Sequence, residues 1–72
     1  MFYYTVTAIY QDSEIGYGEG EHDGFAVEDC IDSIDSIYRD NAPSEIRLIV
    51  RRSTGEIAYV TSLTKYVIDT EI

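Results

Sequence analysis

The sequence predicts an α+β fold in two layers, an antiparallel sheet of four or five strands with one helix packed across it. Three observations carry that expectation. Residues 24–43, GFAVEDCIDSIDSIYRDNAP, place apolar side chains at Val27, Cys30, Ile31, Ile34, Ile37 and Tyr38. That is the i, i+3/i+4, i+7 spacing of an amphipathic helix. Residues 2–10, 45–52 and 56–62 instead alternate and are rich in β-branched and aromatic residues. Turn-forming residues separate the segments, and a sheet and helix each apolar on one side cover one another in two layers.

Taken in order, FYYTVTAIY forms the first strand, with Phe2, Tyr4, Val6, Ala8 and Tyr10 on a core face and Tyr3, Thr5, Thr7 and Ile9 on the other. The second face is apolar enough to be a dimer surface or to be partly covered. Gln11-Asp12-Ser13 supplies turn chemistry. Residues 14–22, EIGYGEGEH, form a second strand, the hairpin partner of the first, with Ile15, Tyr17, Glu19 and Glu21 on one side. Gly16, Gly18 and Gly20 share the other side, which points to a close approach by the helix or by tyrosines of the first strand. An irregular loop is the alternative for this segment.

The helix follows. Its residues are mediocre helix formers, so it depends on docking to the sheet. Asn41-Ala42-Pro43 ends it. EIRLIVRR at 45–52 forms a third strand with Ile46, Leu48 and Val50 toward the core. Ser53-Thr54-Gly55 turns the chain, Gly55 being able to take positive φ. EIAYVTS at 56–62 returns as the fourth strand. In the tail, Tyr66, Ile68, Thr70 and Ile72 alternate, which suits a fifth strand or an extended arm pairing with another copy. The order is β-β-α-β-β with an optional final β, and residues 1–72 form one domain.

A chain of 72 residues buries only about 60% of its unfolded surface. An enclosed substrate cavity is therefore not expected, and a partner or a second copy is a natural source of further burial. The net charge is −9, from 14 acids against 5 bases. This disfavours direct nucleic-acid binding, which needs Lys and Arg to displace counterions, and anionic membranes. It favours a basic partner met by electrostatic steering. Cys30 is the single cysteine and lies on the apolar stripe, so a buried free thiol and a reducing, cytoplasmic setting are expected. With no basic stretch leading into an apolar core and no apolar run of about 18 residues, neither secretion nor membrane insertion is expected.

The charge is not evenly spread. Residues 11–40 carry ten acids against Arg39 alone and account for the whole net charge. From Asp12 to Asp35 there are nine acids and no base. The helix acids Glu28, Asp29, Asp32, Asp35 and Asp40 fall opposite the apolar stripe. Alone they are sparser than duplex phosphates, with a net charge every 4–5 Å or so against about 1.7 Å. If the acids of the second strand lie alongside, the density approaches that of a duplex.

Chemistry is poorly served. Glu19, Glu21, Asp23 and Gly24 imitate the start of an EF-hand loop, but Cys30 stands where the bidentate Glu belongs. His22 is the only histidine, too little with one cysteine for a zinc site. Cys30 on the core stripe is poorly placed to pair with His22 as a nucleophile. The glycines lack the lysine of a phosphate-binding loop. No enzymatic activity, metal or cofactor is expected. Tyr3 and Tyr17 are candidate interface anchors.

The brevity, the base-free stretch DSEIGYGEGEHDGFAVEDCIDSID and the strand-helix-strand order resemble the small acidic proteins that bacteriophages encode against host enzymes. These include DNA-mimic antirestriction proteins, anti-CRISPR proteins and uracil-DNA glycosylase inhibitors. The resemblance implies an inhibitor acting in the host cytoplasm by occupying a protein surface. On this reading Glu19, Glu21, Glu28, Asp32 and Asp35 face a basic groove of a nucleic-acid-binding protein, carboxylates standing in for phosphates. The alternative is a homodimeric structural or accessory module, joined through the face of Tyr3 and Ile9 or through the tail, whose acids only confer solubility.

Overall fold

A computed structural model describes residues 3–70 of the chain, with side chains placed for residues 3–68. Strand β1 (Tyr4–Tyr10) and strand β2 (Ser13–Gly20) form a hairpin. Helix α1 (Asp23–Ser33), helix α2 (Ser36–Asn41) and a 3-10 turn (Pro43–Glu45) follow, then strand β3 (Arg47–Arg52), strand β4 (Ile57–Ser62) and helix α3 (Leu63–Thr70). The four strands form one antiparallel sheet in the order β2-β1-β3-β4. The helices lie on one side of it, and the molecule is only 17 Å thick along its shortest axis.

Both hairpins follow from their turn residues. Gln11 and Asp12 adopt φ of 48° and 64°, the left-handed pair of a two-residue turn that matches strand twist. Gly55 takes φ of 92° in the second hairpin. The expected core face is present: Val6, Ala8, Ile46, Leu48 and Val50 are fully buried beneath Ala26, Val27, Cys30 and Ile34. Ile15 departs from the simple alternation. A bulge between Ala8 and Ile9 pairs Gly16 with Ala8 and Glu14 with Ile9, leaving Ile15 as the extra residue. It packs against the core while Tyr17 and Glu19 remain on the opposite face.

The glycines of β2 are where the two layers touch. A Cβ on Gly18 would lie 2.2 Å from the Cys30 nitrogen and 2.5 Å from the Ala26 carbonyl oxygen. One on Gly16 would lie 2.6 Å from Ile34 Cγ1. Backbone meets backbone here, so α1 seats on β2 without side chains between them. That settles the choice for this segment in favour of a strand.

Two elements differ from expectation. The single long helix is broken at Ile34 and Asp35, both extended, with ψ of 133° and 136°. Asp35 caps α2, its side chain accepting from the Ile37 N–H at 3.0 Å. Ile34 is buried against β2, which fixes where the first helix stops. The apolar stripe consequently fails beyond it: Ile37 is exposed, and Tyr38 leans on Tyr10 with ring centroids 5.3 Å apart. The tail is also not a strand. Ser62 Oγ accepts from the Lys65 N–H at 3.1 Å, an N-terminal cap, and Leu63, Tyr66 and Val67 take helical spacing instead. Leu63 is buried, and its N–H donates to the Ile46 carbonyl at 3.0 Å, tying α3 to the start of β3. Ile72, the end of the expected fifth strand, lies outside the described residues.

Gly18→Ala is expected to destabilise the protein by about 3 kcal/mol or more, since neither backbone can yield without shifting α1. Gly24→Ala, with nothing within 4 Å of its Cβ position, should be neutral or stabilising by up to about 1 kcal/mol. Urea denaturation of the two variants measures the contrast.

Candidate functional site

Helix α1 sends its acids in two directions. Asp29 and Ser33, one turn apart, reach the free edge of β2. The Glu19 N–H donates to Asp29 Oδ2 at 3.1 Å, and the Tyr17 N–H donates to Ser33 Oγ at 2.9 Å. Ser33 Oγ in turn donates to the Cys30 carbonyl at 2.7 Å. These contacts satisfy two outward N–H groups of an edge strand, which would otherwise invite pairing by another chain. Asp29 is thus occupied structurally, a role that acidity and helical spacing alone do not reveal.

Glu28 and Asp32, also one turn apart, face the other way, toward α3. With Ile31, Tyr66 and Val67 they line a shallow hollow. It adjoins an apolar groove of about 350 Å³ lined by Ile31, Arg39, Pro43, Leu63, Val67 and Ile68. The Arg39 Nε in its wall is buried and has no hydrogen-bond partner among the described residues. The result is an oily channel with a carboxylate lip. Sequence reasoning missed the apolar half because it assigned Val67 and Ile68 to a strand or arm.

The nominated acids divide between faces. Glu28 and Asp32 belong to the lip, and Asp35 is exposed at the α1–α2 break. Glu21 is exposed in the bend before α1. Glu19 lies across the sheet, where the Tyr3 hydroxyl donates to Glu19 Oε2. Glu19 therefore does not join Glu28 and Asp32 beside α3; the helix acid nearest to it is Asp29, at the strand edge. Among the described residues the one ion pair is Arg52–Glu56, at 3.7 Å and well exposed. Among the described residues no base forms an ion pair with Glu28, Asp32 or Asp35.

The remaining chemistry-bearing residues have structural surroundings. Burial, then Asp29 and Glu14, pushes the Cys30 thiol up to about 11, so it is a poor nucleophile. His22 precedes α1 and stacks edge-on against Phe25 at 5.3 Å. Asp23 accepts from the Tyr59 hydroxyl at 2.9 Å, pinning the start of α1 to β4. Burial and that hydrogen bond push Tyr59 up to about 12. The hydrogen bond to Glu19, then desolvation, pushes Tyr3 up to about 12 as well. Burial and the charges of Glu28 and Asp23 raise Tyr66. Among the described residues no group of three His, Cys, Asp or Glu side chains is placed to hold a metal, and no helix is long and apolar enough to cross a membrane.

No known protein family matches the chain, and neither a characterised protein nor a solved structure matches it.

Two outcomes follow from these contacts. Asp29→Ala is expected to cost about 1 kcal/mol and to speed hydrogen exchange at the Glu19 amide, while Ser33→Ala does so at Tyr17; amide exchange followed by NMR separates the two. Tyr59 supplies the second. Its pKa is raised on folding, so its contribution is fully present below pH 10 and is lost as pH rises from 10 toward 12. Denaturation midpoints above pH 10 should therefore fall less steeply for Tyr59→Phe than for the parent chain.

Proposed function

We propose that this chain is a non-enzymatic binding protein that docks a basic protein surface on its helical layer, through Glu28, Asp32 and Asp35. The observation that carries this reading is the unneutralised carboxylate lip beside an apolar groove. Carboxylates give steering and orientation, and an apolar channel gives a place for an anchoring side chain. A partner segment that is basic and amphipathic satisfies both. Glu28 and Asp32 are one helical turn apart, about 6 Å along the axis, a spacing that matches successive cationic side chains on a facing helix.

The phage-type form of the reading makes that partner a host nucleic-acid-binding protein, whose basic groove takes the carboxylates in place of phosphates. Brevity and the acid-rich, base-free stretch support it. Because Glu19 lies on the far side of the sheet, the mimicry in this form rests on the acids of α1 and its flanks. Glu21, just before α1, extends the acidic surface toward its N-terminal end.

The reading makes salt the diagnostic variable. A pull-down from host lysate at low salt, eluted with a salt gradient, should release a basic partner. Its affinity should drop steeply with ionic strength and by at least about tenfold in Glu28→Lys with Asp32→Lys. Affinity unchanged by salt and by both substitutions would remove the proposal.

A further inference from the structure

The sheet face opposite the helices is covered by no element among the described residues. Its side chains fall in three rows set by strand register. One row runs Glu19, Thr5, Arg51, Ile57; the next Tyr17, Thr7, Ile49, Val60; the third Glu14, Ile9, Arg47, Ser62. Tyr3, Tyr17, Ile57 and Val60 are between 37% and 50% exposed on it. The middle row is uncharged. The outer rows each carry a glutamate on β2 and an arginine on β3, so the three rows sum to zero in a chain of −9, with Asp12 and Glu45 adding acid only beside Arg47. Two copies meeting through the helical layers would bring their acids together. Meeting through the sheets, they would not.

We propose that this face is a homodimer interface, with a second copy related by a two-fold axis parallel to the strands. The charge layout selects that axis. A two-fold parallel to the strands keeps each row at its own level and reverses strand order, so β2 lies over β4 of the partner and β1 over β3. Tyr17 then packs on the partner's Val60, and Ile49 on the partner's Thr7. Glu19 comes within one strand spacing of the partner's Arg51, and Glu14 within one of the partner's Arg47. A two-fold across the strands would instead exchange the outer rows, setting Glu19 against the partner's Glu14 and Arg51 against the partner's Arg47, like against like.

Within one chain the same charges are two strands apart, about 10 Å, too far to pair directly. The sheets of an aligned sandwich lie about 10 Å apart and cross at about 30°. That rotation shifts the two outer rows in opposite directions, so it brings one of the two Glu–Arg pairs closer by roughly one strand spacing, within the reach of its side chains. Arg51 also donates to the Gly55 carbonyl at 3.2 Å, which holds its guanidinium at the rim. Arg47 shares its end of the face with Asp12 and Glu45, so the Glu19–Arg51 pair is the cleaner test. Four strands of six to eight residues, about six of them in shared register, give a face of about 19 by 20 Å. With side-chain relief the two copies bury on the order of 1,000 Å² in total, the lower bound for a specific interface. A reversible dimer is expected, with the helical acids of both copies facing outward.

Sedimentation equilibrium of the full chain decides the matter, with far-UV circular dichroism confirming that each variant is folded. The parent chain should show a monomer–dimer equilibrium. Glu19→Arg and Arg51→Glu, each made alone, should raise the dissociation constant at least about tenfold, and the two together should restore it. A chain that stays monomeric at millimolar concentration overturns the proposal. So does a dimer that is indifferent to both reversals, or one weakened by each and not restored by the pair. Glu28 and Asp32 take no part in this interface, so their substitutions leave the equilibrium unchanged and the two proposals fail separately.

Discussion

The contact between Gly18 and the backbone of α1 from Ala26 to Cys30 is the constraint on which the rest of the structure depends. With no Cβ between them, helix and strand approach closely enough for Ala26, Val27 and Cys30 to fill the space above β1 and β3. A small core can be close-packed in this way with small side chains. The same approach brings Asp29 and Ser33 to the outward N–H groups of β2. It also sets Ile34 against Gly16, so the helix ends there and the chain re-caps at Asp35.

This seating divides the surface. One edge of the sheet is protected by helix side chains, and one face is roofed by the helical layer. The opposite face is left with tyrosine, threonine, isoleucine and valine, and with rows in which glutamate and arginine are matched. The acids on the roof that form no ion pair among the described residues, Glu28, Asp32 and Asp35, stand on the side away from that face. An acidic protein built this way has one surface that repels its own kind and one that does not, and each suits a different partner.

Much of the fold was legible beforehand because local chemistry encodes it. Alternation in β1 and β3, the turns at Gln11-Asp12 and Gly55, and the burial of Cys30 depend on residues close in sequence. The two misread elements are those where neighbours compete with local pattern. Asp35 followed by Ser36 is a capping signal, but Asp32 followed by Ser33 looks much the same; only the burial of Ile34 selects between them. In the tail, Tyr66 and Ile68 alternate as a strand would, yet Leu63, Tyr66 and Val67 also fit a helix. The cap at Ser62 and the bond from Leu63 to Ile46 decide for the helix. Of the nominated site, the exposure of Glu28 and Asp32 was legible, whereas their apolar neighbours on α3 were not.

By itself the sequence determined the class of fold, the core faces of β1 and β3 and the position of the acidic stretch, and it suggested a close approach at the glycines, because these follow from period, propensity and charge. Only the tertiary structure decided which acids share a surface. Side-chain direction on a strand alternates and on a helix rotates, so Glu19, bonded to Tyr3, and Glu28 and Asp32, beside α3, present their charges to different sides. That division follows from how α1 seats on Gly18, a contact that residue spacing can suggest and only packing can orient.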